Sequence, residues 1–206
     1  MQAYAVVFPD RLKVEYREVS VPDPSPNDVV VETRYSWISN GTEGSFLRGE
    51  RINGETPYCP GDPWPFPIAA GYQSTGVVTH VGRDILDIRP GQWVFCTIGR
   101  IHEMYEPLGG HISPKVLDRS QVWHLPEGAS PVAMSGLVLT QVGYNCGTRP
   151  SVKTGDTALV IGDGLVGQWA AQTLAWRGAN VILAGKHDYR LVFHAQGRPE
   201  TCINTT

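Results

Sequence analysis

The chain has 206 residues, a formal net charge of −3 and 41% hydrophobic residues, a composition typical of globular proteins with a buried core. This charge excludes a basic surface that would hold nucleic acid or an anionic membrane by electrostatics alone. No stretch reaches the ~18 apolar residues of a membrane helix, and the N-terminus has no apolar run of signal length. The chain has four cysteines without compact zinc spacing, Cys59, Cys96, Cys146 and Cys202. We therefore expect reduced thiols and a cytoplasmic location.

The first part of the chain, residues 1–128, predicts a β-rich domain, because short alternating segments are separated by glycine and proline turns. The predicted elements are, in chain order, a hairpin over 1–20, a strand over 28–38, an irregular region over 39–66 with a helical turn near Gly44–Gly49, two short strand pieces joined around Gly71 and Gly76, and a strand after a turn at Pro90–Gly91.

The pattern changes in residues 129–206 to helices and parallel strands. The segment 130–147 is apolar at helical spacing and predicts one helix. A buried strand, a glycine turn, a helix ended by Gly178 and a second strand follow, which is the βαβ pattern of a parallel sheet. We expect Asp188 to cap a further short helix and TCIN, at 201–204, to form a third strand. The fold class is thus α/β with a β-rich front domain.

Three glycines, Gly162, Gly164 and Gly167, form G-x-G-x-x-G between the first of these strands and its helix. Such glycines allow a tight turn, close approach of the backbone to a pyrophosphate, and close helix–strand contact. We expect the backbone N–H groups from Gly164 through Leu165 and Val166 to bind the diphosphate of a dinucleotide. The alternative is a glycine turn that serves packing alone.

The end of the second strand normally selects the cofactor, since an acid there binds the ribose hydroxyls of NAD. Here Gly185 occupies about that position, followed by Lys186 and His187, with Arg190 nearby. We expect these residues to accommodate the 2′-phosphate of NADP, with NAD and ordinary solvated charges as the alternatives. Asp163, between the first two glycines of the turn, is interpreted as structural.

Several segments in their order resemble the medium-chain dehydrogenase/reductase superfamily, the zinc-type alcohol dehydrogenase-like group. They are NDVVVETRYSWISNGTE, GYQSTGVVTHVG, DIRPGQWV, GGHISPKVL, VWHLPEGAS and the glycine turn. The resemblance covers nearly the whole chain. It implies a GroES-like gapped β-barrel over 1–128, a Rossmann domain from 129, and NAD(P)-dependent oxidoreduction of a small-molecule substrate. It also implies a homo-dimer or tetramer.

The sequence departs from this resemblance at the zinc positions. Asn40 replaces the catalytic cysteine, Tyr72 the histidine ligand and Gln73 the carboxylate, while Cys96 is the single cysteine near the expected structural-zinc loop. Because amide and phenol oxygens do not make a tight Zn²⁺ site, we expect neither zinc to be bound. Three histidines, each isolated in sequence, are interpreted as surface or loop residues: His102, His111 and His124.

Without zinc, other groups must polarise the reacting oxygen or move its proton. The resemblance places Thr42 at the hydroxyl position that relays the substrate proton, while Tyr72 and Asn40 would donate hydrogen bonds to a developing alkoxide. The alternative is that Tyr72 and Asn40 simply fill the vacated metal pocket. Glu43 is interpreted as a supporting or structural carboxylate.

The GTE and GYQSTG variants resemble a zinc-less branch that includes bacteriochlorophyllide hydroxyethyl dehydrogenases, which oxidise a secondary alcohol on a large ring. Trp64 and Phe66 either line a roomy pocket or pack within their loop. The resemblance implies alcohol–carbonyl chemistry, with reduction of an activated C=C bond as the nearest alternative.

A complete Rossmann domain has six strands, and this chain supplies the elements of the first half. We therefore expect a truncated form of the parent architecture, with strand edges and an apolar helix face exposed. A non-catalytic nucleotide-binding remnant is the alternative from another functional class.

Overall fold

The computed structural model describes residues 1–195 and 201–206, which form two compact units, Met1–Gly136 and Leu137–Thr206. Each unit has its own buried apolar clusters. The division into domains that the sequence predicts after residue 128 remains a prediction.

The first unit is built mainly of β-strands. Its strands are β1 (Gln2–Phe8), β2 (Glu15–Ser20), β3 (Asp28–Ser36), β4 (Arg51–Asn53), β5 (Thr56–Pro57), β6 (Ile68–Ala69), β7 (Ser74–Val81), β8 (Trp93–Cys96), β9 (Glu106–Pro107), β10 (Ile112–Ser113), β11 (Lys115–Asp118) and β12 (Val122–His124). Its helices are α1 (Asn40–Leu47), α2 (Pro131–Met134) and a 3₁₀ turn at Arg119–Gln121. One five-stranded sheet has the order β10-β1-β6-β9 with β2 paired to β1, the other the order β11-β3-β7-β8-β12, and β4 pairs with β5.

The alternation of side chains along β1 explains how this sheet covers its core. Ala3, Ala5 and Val7 are buried, whereas Tyr4 between them is exposed and stacks on Tyr16 of β2. The antiparallel pairing of β1 with β2 confirms the predicted hairpin over the first twenty residues.

The glycine Gly76 does not divide two strand pieces, as the sequence suggested, but lies inside the continuous strand β7. A Cβ atom at Gly76 would lie 2.3 Å from the carbonyl oxygen of Glu32 in β3. Gly76 therefore allows the close approach of β3 and β7, whose register shifts between Thr33 and Tyr35. The helical turn expected near Gly44 is part of α1, which begins earlier, at Asn40.

The second unit alternates helices with parallel strands. Its elements are α3 (Leu137–Thr148), β13 (Thr157–Ile161), α4 (Leu165–Trp176), β14 (Asn180–Gly185), α5 (Asp188–Ala195) and β15 (Cys202–Asn204). The strands form a parallel sheet in the order β13-β14-β15, which confirms the predicted βαβ unit and the third strand. The prediction that Asp188 caps this helix is wrong, because Asp188 is the first residue of α5 and its carboxylate accepts from Asn204 Nδ2.

Two further predictions about this region are wrong. The single helix expected over 130–147 is divided into α2 and α3, because the chain leaves α2 at Ser135 and Gly136 packs on the Trp37 ring. The strand β13 is not buried, since Leu159 and Ile161 are 57% and 82% exposed. β13 lies at the edge of the described sheet, and the described chain leaves these two side chains uncovered.

Candidate functional site

The turn after β13 has a shape that requires glycine at two positions. Gly162 has a φ of +119°, a region that L-residues with side chains rarely adopt. A Cβ atom at Gly167 would lie 1.8 Å from the carbonyl oxygen of Gly162, so α4 and the end of β13 touch through backbone alone. Gly164, in contrast, has an ordinary φ of −73°, and a Cβ atom there would meet nothing within 4 Å.

The open space at Gly164 lies at the start of α4, where the helix has free donors. Gly164 is the N-cap residue and gives no side-chain cap. The backbone N–H groups of Leu165, Val166 and Gly167 have no acceptor in the described part of the chain. Because these dipoles make a helix start positive, they suit an anion such as a diphosphate. The residues present therefore fit a dinucleotide, as the glycine spacing predicts.

The carboxylate of Asp163, in the glycine turn, forms hydrogen bonds with the residues that follow β14. Asp163, with 7% of its side chain exposed, accepts hydrogen bonds from the backbone N–H groups of Lys186 (2.9 Å) and His187 (2.7 Å). The Nδ1 atom of His187 lies 3.0 Å from the same carboxylate, and a guanidinium nitrogen of Arg190 lies 3.7 Å from it. A Cβ atom at Gly185 would lie 2.4 Å from Asp163 Cβ, so glycine is required there for packing.

The electrostatics at the end of β14 follow from this arrangement. Burial raises the pKa of the Asp163 carboxyl, but hydrogen bonds from the His187 ring and from the two backbone N–H groups lower it by more, and the net pKa lies below its ordinary value. Asp163 thus forms an ion pair with Arg190 and a hydrogen bond with the His187 ring. Lys186 is exposed and forms no ion pair with any described residue, so its ammonium is the cation left for a ligand.

In the first unit, the structure brings together the segments that carry the predicted catalytic residues. The backbone N–H of Trp37, just before α1, donates to the carbonyl of Gln73, at 3.4 Å. Asn40 begins α1, Thr42 follows in its first turn, and Tyr72 precedes Gln73. The side chains of Asn40, Thr42 and Tyr72 make no hydrogen bond to any residue that the structure describes, which leaves their polar atoms available to a ligand.

A buried pair that the sequence did not predict lies beside these residues. His111 Nε2 and Glu43 Oε2 are 2.8 Å apart, with only 8% and 5% of the two side chains exposed. His111 lies in the loop before β10, as one of the two expectations had it, but its side chain is not at the surface. Its ring lies against Gly71, where a Cβ atom would be 2.6 Å from the imidazole. The sequence signal was the neighbouring glycine pair Gly109-Gly110, because a Cβ atom at Gly110 would strike the Gly71–Tyr72 peptide, at 2.0 Å.

The other two histidines and the aromatic loop have simpler surroundings. His102 is exposed, and His124 Nε2 lies 2.9 Å from the carbonyl oxygen of Asp87. Trp64 donates its Nε1–H to Asp10, at 2.9 Å, and its ring centroid lies 5.3 Å from that of Phe66. These contacts are packing of the loop, the second of the two expectations for Trp64 and Phe66.

The donors at the positions of the resembled zinc site do not fit zinc. Asn40 and Tyr72 offer an amide and a phenol, whereas Zn²⁺ sites are built from thiolate, imidazole and carboxylate groups. Within residues 1–195 and 201–206, no group of three or more His, Cys, Asp or Glu side chains could hold a metal ion.

A further buried network lies in the same unit. Lys115 is fully buried and its ammonium donates to Ser74 Oγ (2.6 Å), to the Thr97 carbonyl (3.0 Å) and to the Gly110 carbonyl (3.0 Å). Burial lowers its pKa, while Cys96 has a smaller, opposite effect. All three N–H donors of the Lys115 ammonium thus have acceptors within the first unit, and none is left for a ligand. Lys115 holds the backbone at Gly110, next to His111, in place.

Comparison with known proteins gives one consistent picture. The chain is 30% identical over 188 residues to 2-desacetyl-2-hydroxyethyl bacteriochlorophyllide A dehydrogenase of Rhodobacter capsulatus, a match that covers 86% of this chain and 54% of the relative. The chain thus spans about half the length of this curated relative. No model of a known protein family matches the chain.

Solved structures show the same fold. A short chain alcohol dehydrogenase from Escherichia coli, solved with NADH, superposes with a TM-score of 0.79 at 20% identity, over 100% of this chain and 63% of that one. A putative zinc-binding dehydrogenase from Sinorhizobium meliloti, bound to NADP, superposes with a TM-score of 0.71 at 20% identity, over 95% and 60% of the two chains. The expected fold class, a GroES-like barrel followed by part of a Rossmann domain, is confirmed by this likeness. No helix among the described residues is long and apolar enough to cross a membrane.

Proposed function

Because the chain belongs to the medium-chain dehydrogenase/reductase superfamily, we propose that it is part of an NAD(P)-dependent oxidoreductase that interconverts an alcohol and a carbonyl without zinc. The observation that carries this proposal is the space beside Gly164, at the start of α4. The helix has no side-chain cap there, and its first backbone N–H groups have no acceptor among the described residues. The curated relative, named a hydroxyethyl dehydrogenase, supports a secondary alcohol as the substrate class.

The proposed cofactor is NADP, with NAD as the alternative. Gly185 supplies no acid for the ribose hydroxyls, and Lys186, in the same segment, presents a cation that forms no ion pair with any described residue. NADP and NADH are each bound in a similar structure, so the preference rests on this chain's own residues.

The experiment is a fluorescence titration of the 206-residue protein with NADPH and with NADH. We expect NADPH to bind more tightly, and Lys186→Ala to weaken NADPH binding about tenfold, which corresponds to about 1.4 kcal/mol. Lys153→Ala is the matched control, since Lys153 is an exposed lysine of the same unit and lies before β13. Equal loss in both variants, or tighter NADH binding, would overturn the NADP assignment.

When bound, an oxidised nicotinamide accepts a hydride, so the protein has to orient the alcohol and manage its proton. In this proposal, Tyr72 and Asn40 donate hydrogen bonds to the reacting oxygen, and Thr42 relays its proton. The free polar atoms of all three residues support these roles. Tyr72→Phe removes a single hydroxyl, and we expect it to lower kcat for oxidation of 1-phenylethanol while NADPH binding stays unchanged. Dinucleotide binding without hydride transfer from any alcohol would favour the non-catalytic alternative.

The zinc-free part of the proposal rests on the donor set at Asn40 and Tyr72. We expect the purified protein to contain no stoichiometric zinc, and a chelator to leave its activity and unfolding temperature unchanged. One tightly held zinc per chain, measured by plasma mass spectrometry, would refute this part alone.

The location and assembly of the protein are also proposals. Free cysteines, two of them exposed at Cys59 and Cys146, support a reducing cytoplasmic location. The uncovered side chains of Leu159 and Ile161 support association with further polypeptide, and we propose a homo-dimer or tetramer. Sedimentation measurements test the assembly.

A further inference from the structure

We propose that His111, oriented by Glu43, is the catalytic acid–base that takes the proton of the alcohol. This inference rests on the proposed oxidoreductase function and adds to it a residue that neither the spacing of the sequence nor the resemblance indicated.

The carboxylate of Glu43 is held in one orientation. Its Oε1 accepts the backbone N–H of Ser39, at 2.7 Å, across the first turn of α1, and its Oε2 faces His111 Nε2. Both side chains are nearly buried. A carboxylate fixed in this way accepts the Nε2–H of the imidazole and therefore selects the tautomer with an unprotonated Nδ1.

The second ring nitrogen of His111 is free to react. Nδ1 has no hydrogen-bond partner among the described residues. It is also accessible to solvent, because the unpartnered side-chain atoms that are fully buried belong to other residues. A carboxylate on one imidazole nitrogen stabilises the imidazolium that forms when the other nitrogen takes a proton. The pair therefore has the arrangement of a general base.

The position of the ring matches the proposed reaction. His111 lies against Gly71, next to Tyr72, and its partner Glu43 follows Thr42 on α1. Asn40, proposed to bind the reacting oxygen, thus lies on the same helix as Glu43. Tyr72, proposed for the same role, lies next to the residue that the His111 ring contacts. Among His102, His111 and His124, only His111 has these neighbours.

In alcohol oxidation, the carbinol C–H bond breaks and its electron pair leaves as hydride to the oxidised nicotinamide dinucleotide. The O–H bond breaks and its proton passes to the Thr42 hydroxyl, which gives up its own proton to His111 Nδ1, while the C–O bond becomes a carbonyl. The resulting imidazolium is stabilised by the Glu43 carboxylate, and it returns the proton in carbonyl reduction.

Nitrogen NMR of the ¹⁵N-histidine-labelled 206-residue protein tests the inference without turnover. We expect two-bond correlations that show a protonated Nε2 and an unprotonated Nδ1 at His111, and loss of this preference in Glu43→Gln. Addition of 1-phenylethanol with NADP⁺ should shift the Nδ1 resonance, with the exposed His102 as the internal control. A protonated Nδ1, or an Nδ1 resonance unchanged by the alcohol, overturns the inference.

Activity provides the second readout. We expect His111→Ala to lower kcat about 100-fold, with little change in KM, and added imidazole to restore part of the rate. Glu43→Gln, which keeps an acceptor for Ser39, should cost about tenfold, and His102→Ala should cost nothing. An His111→Gln variant that is folded and fully active overturns the inference. A shifted Nδ1 resonance without hydride transfer by the wild-type protein refutes the proposed function instead.

Discussion

Two glycines of the dinucleotide turn should separate folding from binding when each is changed to alanine. At Gly167, a new Cβ atom would begin 1.8 Å from the Gly162 oxygen and must move beyond about 3.0 Å, so α4 has to shift against β13. Overpacking of this kind costs about 1–3 kcal/mol. At Gly164, the new methyl group meets no atom of the described chain within 4 Å, and the backbone φ of −73° suits alanine.

The stability of Gly164→Ala should therefore stay close to that of the wild type. Alanine is a poorer N-cap than glycine, which lowers the free energy of unfolding by about 0.5–1 kcal/mol. Alanine also reduces the conformational entropy of the unfolded chain, which raises the free energy of unfolding by about 0.4–1 kcal/mol. The two effects offset each other. The methyl group nevertheless occupies the space in which a diphosphate would approach the N–H groups of α4, so we expect NADPH binding to weaken at least tenfold, or by about 1.4 kcal/mol.

Denaturant unfolding monitored by circular dichroism, with NADPH fluorescence titration on the same samples, measures both effects. Gly167→Ala should unfold at lower denaturant, and Gly164→Ala should fold normally and bind poorly. The reasoning would be refuted by a Gly164→Ala variant that binds NADPH like the wild type, or by a Gly167→Ala variant of undiminished stability.

Three further predictions follow from buried charges and from the uncovered strand. Since the pKa of Asp163 is lowered in the folded state, its carboxyl contributes stability above the unfolded pKa of about 3.9 that is lost as the pH falls through the folded value. Asp163→Asn should remove this acid-side slope, measured by denaturant unfolding across pH. Burial lowers the pKa of Lys115, so the unfolded state binds more protons between the folded value and about 10.4, and the free energy of unfolding should rise with pH there. Lys115→Met should lack that alkaline rise, and an unchanged rise would contradict the assignment. Ile161→Lys, at an 82% exposed position, should reduce self-association in sedimentation while changing the unfolding free energy by less than about 0.5 kcal/mol.

The sequence by itself determined the elements whose constraints are local. The hairpin of β1 and β2 follows from period-two alternation, and the βαβ unit follows from glycines that permit a turn of unusual φ at Gly162 and a backbone contact at Gly167. Because Gly162 and Gly167 meet steric requirements set by residues close to them in sequence, the glycine spacing was enough to locate the turn.

Tertiary structure decided the features that depend on distant neighbours. Gly136 ends a helical pattern because it packs on Trp37, and Ile161 is exposed because the described chain places no layer over its side of β13. His111 contacts the carboxylate of Glu43, 68 residues away in sequence. Gly71 and Gly110 allow this contact because neither has a side chain where the segments pack together. A single histidine has no periodicity or spacing in the sequence that identifies its partner. The pairing of His111 with Glu43 is therefore the part of the site that only the tertiary structure shows.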